Sequence, residues 1–203
     1  MTHVFAILDR SGSMGGLETD TIGGYNSFID KLRKQKGIKV TLTLFDNEYE
    51  QPYTDLAIKD VPKLDNKIYF ARGSTALIDA FCRSINTGKT IVKKADKAIV
   101  LVITDGYENS SSESTTADMK KLVTDLGAKK NWTFTYLGAN QDAWANAQNW
   151  GFDKGNVSNY NPTRKGTAQV FTTMSVNTGA FAASGNTSTK SFYSDQDKVK
   201  LES

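Results

Sequence analysis

Asp9, Ser11 and Ser13 follow directly on the apolar run Val4 to Leu8, and a second apolar run, Ala98 to Thr104, leads into Asp105 and Gly106. Two carboxylates and two hydroxyls are hard oxygen donors, the set a small divalent cation takes. Asp-x-Ser-x-Ser alone is a short pattern, since Asp and Ser serve routinely in turns and helix caps. Its setting carries the argument. A buried strand delivers it, a helical pattern follows it, and Arg72-Gly73-Ser74-Thr75 adds a further hydroxyl loop between the two carboxylate strands. On an ideal strand Asp9, Ser11 and Ser13 would share a face but spread along it; Gly12, Gly15 and Gly16 let the backbone curl so that they converge on one ion. With no thiolate or imidazole nearby to favour zinc, Mg²⁺ is the first choice, with Mn²⁺ and Ca²⁺ as alternatives. Two carboxylates bring a dication near neutrality, and neutral hydroxyls leave it electrophilic enough to take an outside anion. That describes a docking site more than a buried staple.

The elements that must position these residues are legible as alternating periodicities. Val4 to Leu8 has no polar interruption and reads as a strand buried on both faces. Ile22, Tyr25, Phe28, Ile29 and Leu32 recur at helical spacing and stop at Gly37. Val40 to Phe45 predicts a second strand, Asp46-Asn47 a tight turn, and Glu48 to Ile58, with Pro52, an edge strand running back. Leu77, Ile78, Phe81 and Ile85 predict a helix, and Ala98 to Thr104, the most hydrophobic run, a central strand. Met119, Leu122, Val123 and Leu126 predict a helix ending at Gly127. Trp132 to Leu137 follows as a strand, Ala143 to Trp150 as a short helix, Val157 to Tyr160 as a last strand, and Ala168 to Phe181 as a long helix. Strands alternating with helices predict an α/β, doubly wound (Rossmann-like), mostly parallel sheet with one antiparallel edge strand and helices on both faces. Ligands of such sheets sit at the carboxyl ends of the strands, where Asp9 and Asp105 fall, with their two strands neighbours at the switch point.

At 203 residues the chain suits one sizeable core, expected over residues 1–184, with a polar tail from 185 to 203 rich in Ser, Thr, Asn, Lys and Asp that is expected to be loosely held or disordered. A net charge of +3 is too small to attract nucleic acid in bulk, and no apolar run is long enough to span a bilayer. Cys82 is the only cysteine, so no internal disulfide forms; with no signal-peptide pattern at the start, a cytoplasmic location is expected.

The constellation resembles the von Willebrand factor A (vWA) domain with its metal-ion-dependent adhesion site (MIDAS), over roughly residues 2–180. Asp9, Ser11 and Ser13 match the first loop of that site, Thr75 in Gly73-Ser74-Thr75-Ala76-Leu77 the threonine loop, and Asp105 in Ile103-Thr104-Asp105-Gly106 the third. The resemblance implies that the serines bind metal directly, that the threonine and aspartates do so directly or through water, and that a partner protein's Glu or Asp completes the shell. In size and lack of appendages the chain is similar to small stand-alone bacterial or phage members of that family.

Gly12, Asp46, Ser74, Tyr107, Glu108 and Asn109 fall at loop ends around the expected site and are the candidate partner-contact rim. Asp46 reads first as a turn former, while Glu108 and Asn109 divide evenly between partner contact and loop structure. Trp144 and Trp150 read as core, Cys82 as a small core residue, and His3, at the opposite end of its strand, as remote from the chemistry. Two functions fit: a metal-dependent protein-interaction module that catalyses nothing, or a metal-dependent hydrolase of phosphoesters. The second lacks an evident general acid or base beyond Asp9, Asp105 and Glu108. A nucleotide fold is disfavoured, because Gly12, Gly15 and Gly16 have neither phosphate-loop spacing.

Overall fold

The computed structural model describes residues 1–139 and 142–203. In chain order the elements are β1 (Thr2–Asp9), α1 (Glu18–Leu32), β2 (Ile38–Phe45), β3 (Tyr49–Ala57), α2 (Leu77–Ile91), β4 (Lys97–Thr104), α3 (Thr116–Gly127), β5 (Trp132–Gly138), α4 (Ala143–Asn149), β6 (Val157–Asn159), α5 (Arg164–Ala183) and α6 (Asp195–Glu202). The strands form one six-stranded sheet ordered β3-β2-β1-β4-β5-β6, parallel except for the antiparallel β2–β3 pair. This is the doubly wound α/β sheet with one antiparallel edge strand that the periodicities predict.

Alternation along each central strand divides the core in two. Val4, Ala6 and Leu8 of β1 and Ile99, Leu101 and Ile103 of β4 meet Tyr25, Phe28 and Ile29 of α1 and Val170, Phe171 and Met174 of α5. Phe5 and Ile7, with Val100 and Val102, face Leu77, Phe81 and Ile85 of α2 and Met119 and Val123 of α3 on the other side. Every residue of β1 is buried, as an uninterrupted apolar run requires, whereas edge strand β3 alternates between half-buried and exposed and places Pro52 outward. Cys82 and Trp150 lie in the second core, and Trp144 packs partly buried against it. His3 sits at the far end of β1 from Asp9, its ring between Asp55 (2.8 Å) and Asp96 (3.3 Å).

The C-terminal segment departs from the loose tail its composition predicts. Phe192, Tyr193 and Leu201 are buried in the first core, α6 opens on a Ser194–Asp197 capping box, and the Asn161 amide donates to the Leu201 carbonyl at 3.0 Å. Three apolar residues in a polar stretch are enough to dock it. Among the described residues no helix is long and apolar enough to cross a membrane.

Candidate metal centre

Leu8 lies opposite Ile103 across the parallel β1–β4 pair, so the chains emerge side by side as Asp9-Arg10-Ser11 and Thr104-Asp105-Gly106. Asp9 is fully buried. Its Oδ1 accepts the Ser11 amide at 2.6 Å, an Asx-turn that bends the chain as it leaves the sheet, and its Oδ2 accepts the Thr104 hydroxyl. The Tyr69 hydroxyl donates to the Asp9 carbonyl at 2.5 Å. A single 3-10 turn over Gly12–Met14 brings Ser11 Oγ and Ser13 Oγ within 3.1 Å, and Ser13 Oγ donates to Asp105 Oδ1 at 2.5 Å.

The threonine loop is tied to both. The Arg72 amide donates to the Arg10 carbonyl (2.9 Å) and the Gly12 amide to the Gly73 carbonyl (3.1 Å), laying this loop beside the first. The Thr75 amide donates to Asn109 Oδ1 (2.9 Å) while the Asn109 amide donates to the Thr75 carbonyl (3.0 Å), locking it to the third. Gly73 has φ +66° and leaves no room for a side chain, since a Cβ there would stand 1.9 Å from Asn47 Oδ1. At Gly106 a Cβ would meet Thr75 Oγ1 at 2.7 Å, Ser13 Oγ at 3.1 Å and Ser11 Oγ at 3.3 Å. Three hydroxyls from two loops therefore converge on the space that this glycine keeps open, with Asp105 bonded to one of them and Asp9 behind.

Among the described residues no basic side chain pairs with Asp9 or Asp105. Burial pushes the Asp9 carboxyl up to about 6 despite hydrogen bonds from Thr104 and Ser11, and the neighbouring Asp105 charge adds to the rise. Burial likewise raises Asp105, against the Ser13 hydrogen bond. Arg10, the nearest basic residue in sequence, turns away to Asp46. The residues fit a hard dication: two carboxylates to balance its charge and three neutral hydroxyls, all oxygen donors. Among the described residues no group of three or more His, Cys, Asp or Glu side chains gathers to hold a metal, and this cluster, with two carboxylates, draws the rest of its oxygens from hydroxyls.

The expected rim is only partly a rim. Gly12, Ser74 and Tyr107 are exposed beside the cluster. Asp46 is not: it is fully buried and accepts Arg10 Nε (2.9 Å) and Arg72 Nε (2.8 Å), which is how its charge is accommodated there. Glu108 turns inward to the amides of Ile78 (2.9 Å), Ser110 (3.1 Å) and Ser111 (2.8 Å), fastening the third loop to the start of α2. Asn109 remains exposed, but its side-chain oxygen holds the Thr75 amide. Sequence reasoning missed Thr104, Tyr69, Arg10 and Arg72. The one available signal was Thr104, a polar residue ending an otherwise apolar strand just before Asp105.

No protein-family model and no curated protein sequence matches the chain. In three dimensions it is similar to a von Willebrand factor type A protein from Catenulispora acidiphila (TM-score 0.62, 17% identity, covering 88% of this chain and 42% of that one). It is also similar to proximal thread matrix protein 1 from the mussel byssus, solved with a zinc-occupied MIDAS motif (TM-score 0.60, 13% identity, 85% and 46%). A third similar structure is the manganese-loaded TRAP protein of Plasmodium vivax (TM-score 0.60, 17% identity, 79% and 68%). The chain spans under half the length of the first two of these. Its fold is that of vWA domains.

Proposed function

We propose that the chain is a divalent-metal-dependent protein-interaction module. Asp9, Ser11, Ser13, Thr75 and Asp105 hold Mg²⁺, with Mn²⁺ or Ca²⁺ able to replace it, and an Asp or Glu of a partner protein completes the metal's shell. The observation that carries this reading is the convergence of the Ser11, Ser13 and Thr75 hydroxyls on the space at Gly106, beside two buried carboxylates that, among the described residues, no basic side chain pairs with. A bound dication supplies the positive charge that the two carboxylates lack and an open position for an anionic ligand. The chain's own residues do the rest. Thr104 and the Ser11 amide orient the Asp9 carboxylate, Ser13 and Asp105 hold each other at the mouth, and exposed Gly12, Ser74 and Tyr107 offer the surface against which a partner would settle.

The zinc-occupied MIDAS motif of the byssus protein and the manganese-loaded TRAP protein support a divalent cation in a chain of this fold. A hydrolytic role gains no support from Glu108, the remaining acid–base candidate, because both of its oxygens are committed to backbone amides and to the Ser111 hydroxyl. The test is capture of proteins from a host lysate on immobilised chain with Mg²⁺, with EDTA, and with Asp9→Asn, followed by replacement of acidic residues in any captured protein. Capture that needs Mg²⁺, Asp9 and one partner carboxylate is the expected result. Capture indifferent to all three would remove the basis for the proposal.

A further inference from the structure

We propose that Asp46 is a positioning residue which, through Arg10 and Arg72, sets the spacing between the loop of Ser11 and Ser13 and the loop of Thr75, and with it the size of cation the site accepts. This rests on the metal-site reading above and adds a size-selecting device to it. Asp46 touches both loops at once. Its Oδ2 accepts Arg10 Nε (2.9 Å), from the residue between Asp9 and Ser11, and Arg72 Nε (2.8 Å), three residues before Thr75. Its backbone carbonyl accepts the Ala76 amide (2.8 Å), just after Thr75, and its Oδ1 accepts the Glu48 amide (2.6 Å), fixing the turn on which it stands. Thr75 is thus held on both sides by the residue that also holds the first loop.

The surroundings make this clamp stiff. Arg10 and Asp46 are both fully buried, and Arg10 Nη1 also donates to Glu50 Oε2 (2.9 Å). Arg72 Nη2 reaches Glu48 Oε2 (2.5 Å), and both guanidinium groups lie against the Phe70 ring, 5.7 Å and 5.2 Å from its centre. Asn47, next to Asp46, fills the space over Gly73. A guanidinium on a carboxylate is directional as well as charged, so the geometry is fixed more closely than by an ammonium. Mg²⁺ demands ligand oxygens at about 2.0–2.1 Å and Ca²⁺ at about 2.3–2.6 Å, and discrimination depends on cavity size and rigidity. A clamp that fixes the loop spacing therefore discriminates, and a loosened one discriminates less.

Replacing Asp46 leaves Arg10 buried with only the exposed Glu50 as its acidic partner and can unfold the chain, so the informative variant is Arg72→Met, which keeps an apolar stem on Phe70 and removes the side-chain tie of Asp46 to the threonine loop, together with the exposed pairs of Arg72 with Glu48 and Glu50. Mg²⁺ and Ca²⁺ affinities would be measured by calorimetry for the parent, Arg72→Met, Arg72→Lys and, as a control, Arg83→Met, which breaks an exposed pair with Glu113 in which Asp46 takes no part. The expected result is a Mg²⁺:Ca²⁺ affinity ratio at least fivefold lower in Arg72→Met, an intermediate ratio in Arg72→Lys and no change in Arg83→Met, with circular dichroism unaltered. An unchanged ratio in Arg72→Met, whether both affinities stay or fall together, overturns the clamp while leaving the metal site standing. A parent that binds neither ion overturns both.

Discussion

At Gly106 a hydrogen stands where any other residue would direct a Cβ among the Ser11, Ser13 and Thr75 hydroxyls. Gly106→Ala changes no charge and its backbone needs no positive φ, so it should weaken Mg²⁺ binding at least tenfold, about 1.4 kcal/mol, with the circular dichroism spectrum retained. Asp9 poses a different problem. As the tip of a strand it reads as replaceable without harm to the core, yet it is fully buried and accepts hydrogen bonds from the Ser11 amide and Thr104 hydroxyl. Asp9→Ala would leave the Ser11 amide unpaired, at about 1–3 kcal/mol, and the Thr104 hydroxyl with only the Gly106 carbonyl at 3.2 Å, so Asp9→Asn is the cleaner probe. The five donor residues stand out in the sequence because each ends an apolar run or sits in a glycine-rich loop. Their supports do not. Thr104 and Arg10 act on partners 95 and 36 residues away, and no local pattern marks a hydroxyl or guanidinium that works at such a distance in sequence.

The elements show the same division. Strands and helices from β1 to α5 carry their period in their apolar residues, and β1 and β4 lie adjacent at the switch point as alternation predicts. Helix α6 carries no such period: of Asp195–Glu202 only Leu201 is buried, and besides its cap and that one side chain the helix is held by hydrogen bonds to Asn161, Asn177 and Lys154. Its sequence signal was the Ser194–Asp197 capping box and the Phe192-Tyr193 pair, both weak against a polar background. Leu201→Ala should cost about 2–5 kcal/mol, seen as a lowered urea midpoint; a midpoint equal to the parent's would mean that α6 adds nothing. Packing of α5 on α1 depends on Gly24, where a Cβ would come within 2.2 Å of Phe171. Gly24→Ala should therefore lower the thermal midpoint, by overpacking worth about 1–3 kcal/mol, although alanine is the better helix former.

Across the whole molecule the two buried carboxylates make stability depend on pH and, on the proposed function, on metal as well. The Asp9 carboxyl is raised from its ordinary 3.8 to about 6, so between those values the folded chain keeps a proton that the unfolded chain releases. Stability of the metal-free chain should therefore fall as pH rises through that window and level off above it, by about 3 kcal/mol from this group. Asp9→Asn removes the cost: the metal-free variant should melt higher than the parent at pH 7.5 and alike at pH 4, read by thermal denaturation in EDTA. Mg²⁺ at about a hundred times its dissociation constant should stabilise the parent by roughly 2.7 kcal/mol at pH 7.5, and progressively less toward pH 5 as protons compete for Asp9. The most direct measurement is a calorimetric titration of Mg²⁺ into the metal-free chain at pH 7.5, beside Gly106→Ala and Asp9→Asn. One site per chain in the parent, lost or severely weakened in both variants, is the predicted result; no binding of Mg²⁺, Mn²⁺ or Ca²⁺ by the parent, or the same isotherm in all three proteins, would contradict the account.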